Sequence, residues 1–280
     1  MSNNEITWSN GQWSDTSAPL IGATDHAFWM ATTVFDGARS IHGHTPDLDL
    51  HCERLNRSAI TLGMEPVMTP QQTVDLVHEG LKKLSHSTDY YIKLLYFAPG
   101  GFIQPDPATS QLAIHIFESP MPEDSGFSAT FSEFLRPDPS MAPTDAKASC
   151  LYPNTQRILR DASARGFDNA IVLDSKGKVA EFAVANLWIV RDGVVLTPEL
   201  NGTFLNGITR RRVMQLLRDD GLDVREVSLT PQDVLDADEI FSTGNYGKVL
   251  HCNRIDDHHY AHGPVETRAR ELYMAYTERN

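Results

Sequence analysis

A chain of 280 residues with 41% apolar content is long enough to bury one large core or two ordinary ones, as a globular protein does. Its 37 acidic residues against 24 basic ones give a formal charge of -13, which repels nucleic acid and anionic lipid and favours small-molecule work. No apolar run approaches the roughly 18 residues of a spanning helix, and the opening MSNNEITWSNGQWSD is polar with no signal-peptide pattern, so the expectation is a cytoplasmic protein. Cys52, Cys150 and Cys252 are too few and too scattered for a disulfide scaffold or a zinc knuckle and are expected as reduced thiols. The histidines of HGH (42 to 44), His51 and HHYAH (258 to 262) lie in polar, turn-rich sequence without a cysteine or carboxylate pattern, so they read as surface residues and no metal is expected.

Along the chain, TTVFDGARSI (32 to 41) is β-branched and aromatic around a glycine, the pattern of a strand. Leu55, Ala59 and Leu62 then fall on one face of a helix that Gly63 can end, and Val74, Val77, Leu81 and Leu84 form a second helical stripe after Pro70. YYIKLLYFA (90 to 98) and QLAIHIFE (111 to 118) read as strands separated by the Gly- and Pro-rich loop PGGFIQPDP. Two prolines, a glycine and acidic residues then mark a linker over 121–128, dividing a small N-terminal α+β domain (1–120) from a larger C-terminal one (129–280). In the second domain FDNAIVLD, KVAEFAVANLWIV and GVVLTP read as strands joined by tight turns, with helices at 154 to 165 and about 207 to 220, the latter closed by Gly221. The fold class expected is α+β.

Four features carry chemistry. Lys147 stands among small residues in TDAKASCLY, with Tyr152 five positions on; a lysine serves as a nucleophile when its amine loses its proton, and the small neighbours leave room for a ring against the backbone. Glu181 lies in the mostly apolar run GKVAEFAVANLWIV, whose alternation puts it with Ala183, Ala185 and Leu187 and opposite Asn186. A carboxylate there needs a partner: a protonated pyridine nitrogen, a nearby arginine, or water at the strand end. FLNGITRRRV opens a helix at Gly207, so the amides of Ile208 and Thr209 project toward an anion, and STGNYGKV (242 to 249) offers Gly244 and Asn245 in a second small-residue turn. Arg54, in HCERLNRSA, is a bidentate donor suited to the same anion.

The order of these segments, HCERLNRSA, APTDAKASCLY, GKVAEFAVANLW, LNGITRRRV and DEIFSTGNYGKV, resembles the class IV (fold type IV) pyridoxal-phosphate aminotransferases of the branched-chain type, and the resemblance covers nearly the whole chain. It implies a two-domain α+β subunit, a small α/β domain plus a larger strand-rich one, with the cofactor pyridoxal 5'-phosphate (PLP) between the domains and a homodimer as the assembly. It further implies that Lys147 binds the cofactor aldehyde and carries the proton, that Glu181 pairs with the ring nitrogen, and that Tyr152 contacts the phenolate oxygen. Arg54, Gly207, Ile208, Thr209, Gly244 and Asn245 are then expected at the phosphate, with Asn186 beside the cofactor.

The same resemblance assigns Phe35, Gly37 and Arg39 of VFDGAR, Tyr91 and Lys93 of YYIKLLYF, and Tyr246 and Gly247 to the substrate. Here the chain departs from the pattern: Lys93 stands where the branched-chain enzymes carry arginine and lacks its planar fork, and Tyr246 enters a loop of otherwise small residues. The expected activity is transfer of an amino group between a hydrophobic, branched-chain-like amino acid and a 2-oxo acid by ping-pong chemistry. An (R)-selective amine or D-amino-acid transaminase is the alternative, and an aminodeoxychorismate-type lyase stands behind it.

Overall fold

The structure, a computed structural model, describes residues 4–15, 19–85 and 88–279. The chain forms two compact units, one of Met1–Met121 with Asp145–Leu151 and Thr277–Asn280, the other of Pro122–Thr144 with Tyr152–Tyr276.

In the first unit, β1 (Glu5–Ser9) and β2 (Gln12–Ser14) form a hairpin turned by Asn10 and Gly11, both at positive φ. Asn-Gly is the two-residue turn whose twist suits paired strands; the sequence reading placed no element there. A short helix α1 (His26–Trp29) leads to β3 (Thr33–Ser40), α2 (Leu48–Thr61), α3 (Pro70–Leu81), β4 (Tyr90–Phe97) and β5 (Gln111–Glu118). α3 begins where its sequence directs: Pro70 fills the first turn, the Thr69 hydroxyl accepts from the Gln72 amide (3.2 Å), and the Gln72 side chain accepts from the Thr69 amide (2.8 Å).

Among the described residues the strands of this unit make one antiparallel sheet in the order β2-β1-β5-β4-β3. Alternation sorts its two faces. Val34, Ala38, Ile92, Leu94, Ile114 and Ile116 are buried with Cys52, Leu55 and Ala59 of α2 and Val74 and Val77 of α3, and full burial of each larger side chain stabilises by about 1.5–3 kcal/mol. Phe35, Gly37, Arg39, Tyr91, Lys93 and Phe117 turn to the opposite face.

The second unit contains β6 (Phe127–Phe131), α4 (Tyr152–Ala164), β7 (Asn169–Leu173), β8 (Val179–Phe182), β9 (Asn186–Arg191), β10 (Val194–Pro198), α5 (Ile208–Asp219), β11 (Val224–Val227), α6 (Pro231–Leu235), β12 (Glu239–Gly244), β13 (Lys248–Ile255), β14 (His258–His259) and α7 (Pro264–Thr277). Its described strands run β11-β10-β9-β12-β13-β6-β7-β8, with β14 added on β13. Among the pairings of that path, β10 with β11, β13 with β6 and β6 with β7 are parallel, the rest antiparallel. Gly221, at φ 92°, ends α5 in the left-handed conformation that glycine adopts without strain. No described helix is long and apolar enough to cross a membrane.

Two features differ from the sequence reading. Asp145–Leu151, expected in the second domain, belongs to the first unit, because Ala148 bridges to Val34 and the Phe35 amide donates to the Lys147 carbonyl at 3.0 Å. The run at 178 to 190 is two strands, not one: β8 pairs with β7 while β9 pairs with β10 and β12, and the bend at 183 to 185 breaks the alternation. Glu181 and Asn186, assigned to opposite faces by a continuous strand, therefore meet.

Candidate active site

Lys147 is held by its main chain. Its amide donates to the Ser58 hydroxyl at 3.0 Å, its carbonyl accepts from Phe35, and Ala146 and Ala148 on either side are fully buried. The side chain is half-buried and its Nζ lies 4.9 Å from the centre of the Phe35 ring. Ser58 sits four residues after Arg54 on α2, so the helix presents the lysine's anchor and the arginine on one face, one turn (about 5.4 Å) apart.

Arg54 is itself fixed by Asp36. Its Nε and one terminal nitrogen donate to the two oxygens of that carboxylate at 2.7 and 2.8 Å, His51 Nδ1 lies 2.6 Å from Oδ1, and the Gly37 amide donates to Oδ1 at 2.8 Å. Burial alone would raise the Asp36 pKa, since its side chain is wholly removed from solvent, but Arg54 and then His51 outweigh that cost and hold the carboxyl well below the ordinary carboxylate range. Asp36 and His51 thus set the direction of the Arg54 fork.

In the second unit Glu181 is buried, with its Oε1 paired to an Arg136 terminal nitrogen at 2.6 Å and its Oε2 accepting from the Asn186 amide at 3.0 Å. Arg136 also donates to the Ala183 carbonyl (3.0 Å), and Asn186 donates to the Leu205 carbonyl (3.1 Å), so both partners of the carboxylate are anchored to backbone. Sequence reasoning missed Arg136; FLRPDPS offers a lone arginine between turn residues and no local sign of a partner far along the chain.

The N-terminus of α5 lies against the same asparagine. A Cβ added at Gly207 would stand 2.0 Å from Asn186 Oδ1, so only glycine permits this approach. Ile208 and Thr209 are buried at 3% and 4% exposure, and no side chain caps the helix, an arrangement that suits an anion on the leading amides. Arg210 fixes the turn from behind: at 1% exposure it pairs with Glu226 (2.8 Å) and donates to the Pro198 carbonyl (2.8 Å), tying α5 to β10 and β11. Tyr152 opens α4, half-buried.

Gly244, Asn245, Tyr246 and Gly247 lie at the turn between β12 and β13, where Gly244 pairs with Lys248. The Asn245 side-chain oxygen accepts from Lys248 Nζ at 2.8 Å, and Tyr246 stands at the tip, 63% exposed. Trp188 Nε1 donates to the Thr243 hydroxyl at 2.8 Å, joining this hairpin to β9. On the first unit's open sheet face, Gly37 pairs with Lys93 and Arg39 with Tyr91. Arg39 is fully buried, donates to the Ser119 carbonyl at 2.6 Å and lies 5.6 Å from the Tyr91 ring centre, while Lys93 Nζ lies 5.5 Å from the Phe117 ring centre. Arg39 is anchored at Ser119 beside the Tyr91 ring, and Lys93 is a partly exposed cation of the same face.

These residues fit a phosphorylated pyridine aldehyde. In the second unit, the buried, uncapped α5 terminus and the glycine-only approach at Gly207 suit a phosphate and the buried Glu181 suits a ring cation, while in the first Lys147 supplies an amine flanked by alanines. Residues 33–255 match the family described as Amino-transferase class IV. An aminotransferase from Brucella abortus, solved bound to its co-factor PLP, has 44% identity and a TM-score of 0.97 over 98% of this chain and 99% of that one. The branched-chain aminotransferase of Thermoproteus uzoniensis, solved with norvaline, has 29% identity and a TM-score of 0.90 over 98% of this chain and 95% of that one. A putative branched-chain-amino-acid aminotransferase of Methanocaldococcus jannaschii is 32% identical over 252 residues, 88% of this chain and 86% of its own. With a matched span covering most of its length, the chain belongs to the class IV aminotransferases and is a PLP-dependent aminotransferase.

Proposed function

We propose that the chain exchanges an amino group between a hydrophobic, branched-chain-like L-amino acid and a 2-oxo acid. The observation that carries this reading is one face of the first sheet, where Phe35, Tyr91, Leu95 and Phe117 offer apolar surface around two cations, the buried Arg39 and the partly exposed Lys93. Such a face suits an aliphatic side chain and leaves Lys93 for a carboxylate. The named relatives, branched-chain enzymes among them, support the same choice.

When bound, PLP supplies an aldehyde that takes up amino groups and a protonated ring that accepts electrons from the substrate α-carbon. Lys147 Nζ is the amine that would hold the aldehyde, and when free it would serve as the base that takes the substrate α-carbon proton and the acid that returns it. Glu181 keeps the ring nitrogen protonated, and Arg136 and Asn186 hold its two oxygens so that it accepts along a fixed line. Tyr152 would donate to the phenolate oxygen. Arg54, the amides of Ile208 and Thr209, and the Gly244–Asn245 turn hold the phosphate, with Asp36 setting the Arg54 fork. Tyr246 and Gly247 border the substrate. Each amino acid leaves as its 2-oxo acid before the next 2-oxo acid binds, which gives ping-pong kinetics.

The test is a half-reaction screen in which holoenzyme is mixed separately with L-leucine, D-alanine and (R)-1-phenylethylamine while the absorbance of the lysine-bound cofactor is followed. L-Leucine is expected to discharge it at least about tenfold faster than either other donor, a difference of roughly 1.4 kcal/mol in barrier. Faster discharge by D-alanine or the amine would overturn the substrate assignment.

A further inference from the structure

α7 begins beside the segment that precedes β6, and there Asp124, His262 and Glu266 each turn a donor atom inward, all within 4.8 Å of one another. Glu266 is fully buried, and neither of its carboxylate oxygens has a hydrogen-bond partner among the described residues. A buried carboxylate in that state is costly unless something positive completes it.

The histidine tautomer sharpens the point. The Thr267 hydroxyl donates its one proton to the Gly263 carbonyl (2.8 Å), so toward His262 Nδ1, 3.1 Å away, it accepts. When the ring is neutral its proton therefore sits on Nδ1, and Nε2 then turns its lone pair on Asp124 Oδ2 and Glu266 Oε2, 3.2 Å from each. Three acceptors converge at that separation. Two ligand atoms about 2.0–2.2 Å from one metal ion, at the angles of tetrahedral or octahedral coordination, stand about 3–3.5 Å apart. The hydrogen bond at Nδ1 is also the outer contact that orients a metal-binding imidazole.

We propose that Asp124, His262 and Glu266 bind a divalent cation of the Zn²⁺ or Mn²⁺ class, which fastens the start of α7 to the chain ahead of β6. One nitrogen and two carboxylates suit such an ion better than Mg²⁺, which keeps to oxygen and water. The half-exposed His262 gives it a path from solvent.

The surroundings agree. Burial first, and then the Asp124 charge, push the Glu266 carboxyl up to about 8, a repulsion that a cation relieves. Glu239 is already occupied, accepting from the amides of Val265 and Glu266 at 3.3 and 2.9 Å. His251, whose ring centre is 4.8 Å from that of His262, is pushed toward its neutral form chiefly by burial. Arg270 opposes the ion from 4.0 Å off Asp124, but its terminal nitrogens donate to the Val249 and Pro122 carbonyls, and two carboxylates outweigh it. Sequence spacing hid this site because its third ligand, Asp124, lies far from HHYAH in the chain.

The experiment uses untagged holoenzyme freed of metal by chelation and titrated with ZnCl₂ or MnCl₂, with bound metal measured after dialysis and unfolding followed by heating. One equivalent is expected to bind, and the midpoint to rise by about 5–10 °C at a hundredfold excess over Kd. Both effects are expected to vanish in His262→Gln and Asp124→Asn. His262→Gln alters a half-exposed side chain, and its retained circular dichroism and cofactor content establish that it is folded. Wild-type protein that takes up no ion, as when Asp124 and Glu266 share a proton instead, overturns the proposal; so does an undiminished equivalent in both variants.

Discussion

Replacing Lys147 with alanine is expected to abolish the covalent attachment of PLP and to lower kcat by at least about 10²–10⁴-fold, the range a positioned acid-base group contributes. The loss will be chemical and not structural. The contacts that hold this segment are made by the backbone: the Lys147 amide to Ser58, the Lys147 carbonyl from Phe35, and the Ala148 bridge to Val34. Alanine keeps all three, so the variant is expected to melt within a few degrees of the parent and to retain PLP noncovalently through its phosphate. Single-turnover absorbance with L-leucine measures the rate, and a thermal melt measures the fold. An alanine variant that turned over at near-parental rate would remove Lys147 from the chemistry.

The second large effect is expected at Asp36, through stability. Changing it to asparagine leaves Arg54 facing a neutral amide in a site from which solvent is excluded, and breaking a buried pair of this kind costs about 3–5 kcal/mol, or roughly 6–20 °C in melting temperature for a protein of this size. The Arg54 fork also loses one of the two bonds that aim it, since an amide keeps a single acceptor oxygen, so PLP is expected to dissociate more readily. The pH dependence has a definite sign. The folded pKa of Asp36 lies below its unfolded value of about 3.9, so its contribution is complete above that value and is lost as pH falls through the folded pKa. The gap in melting temperature between parent and Asp36→Asn is expected to be constant from about pH 5 to 7 and to narrow below about pH 4. A gap unchanged down to pH 3 would contradict the assignment.

Much of the candidate site could be proposed from the sequence because its chemistry is local. Lys147 among small residues and Gly207 before Ile208 and Thr209 announce themselves within a few positions, since room for a ring and an exposed helix end are short-range properties. Asp36 was within reach and missed. The alternation that sends Phe35, Gly37 and Arg39 to one sheet face places Asp36 with Val34 and Ala38 on the covered face, the circumstance that drew attention to Glu181. Arg136 and Asp124 were not legible, because their partners are joined to them by long-range pairing of β6, β7 and β13. The meeting of Glu181 and Asn186 escaped for another reason: a run of strand-forming residues does not reveal a bend, and this one changes sheet neighbours between 182 and 186. The N-terminal hairpin carried a readable Asn-Gly turn inside a stretch whose polarity concealed its strands.

The most direct test of the central claim is reduction of the holoenzyme with borohydride, followed by proteolysis and mass mapping of the cofactor-bearing peptide. The label is expected on Lys147 alone, and pre-incubation with L-leucine is expected to remove it by discharging the lysine-bound cofactor. A label on Lys93 or Lys248, or none on any lysine, would contradict the account.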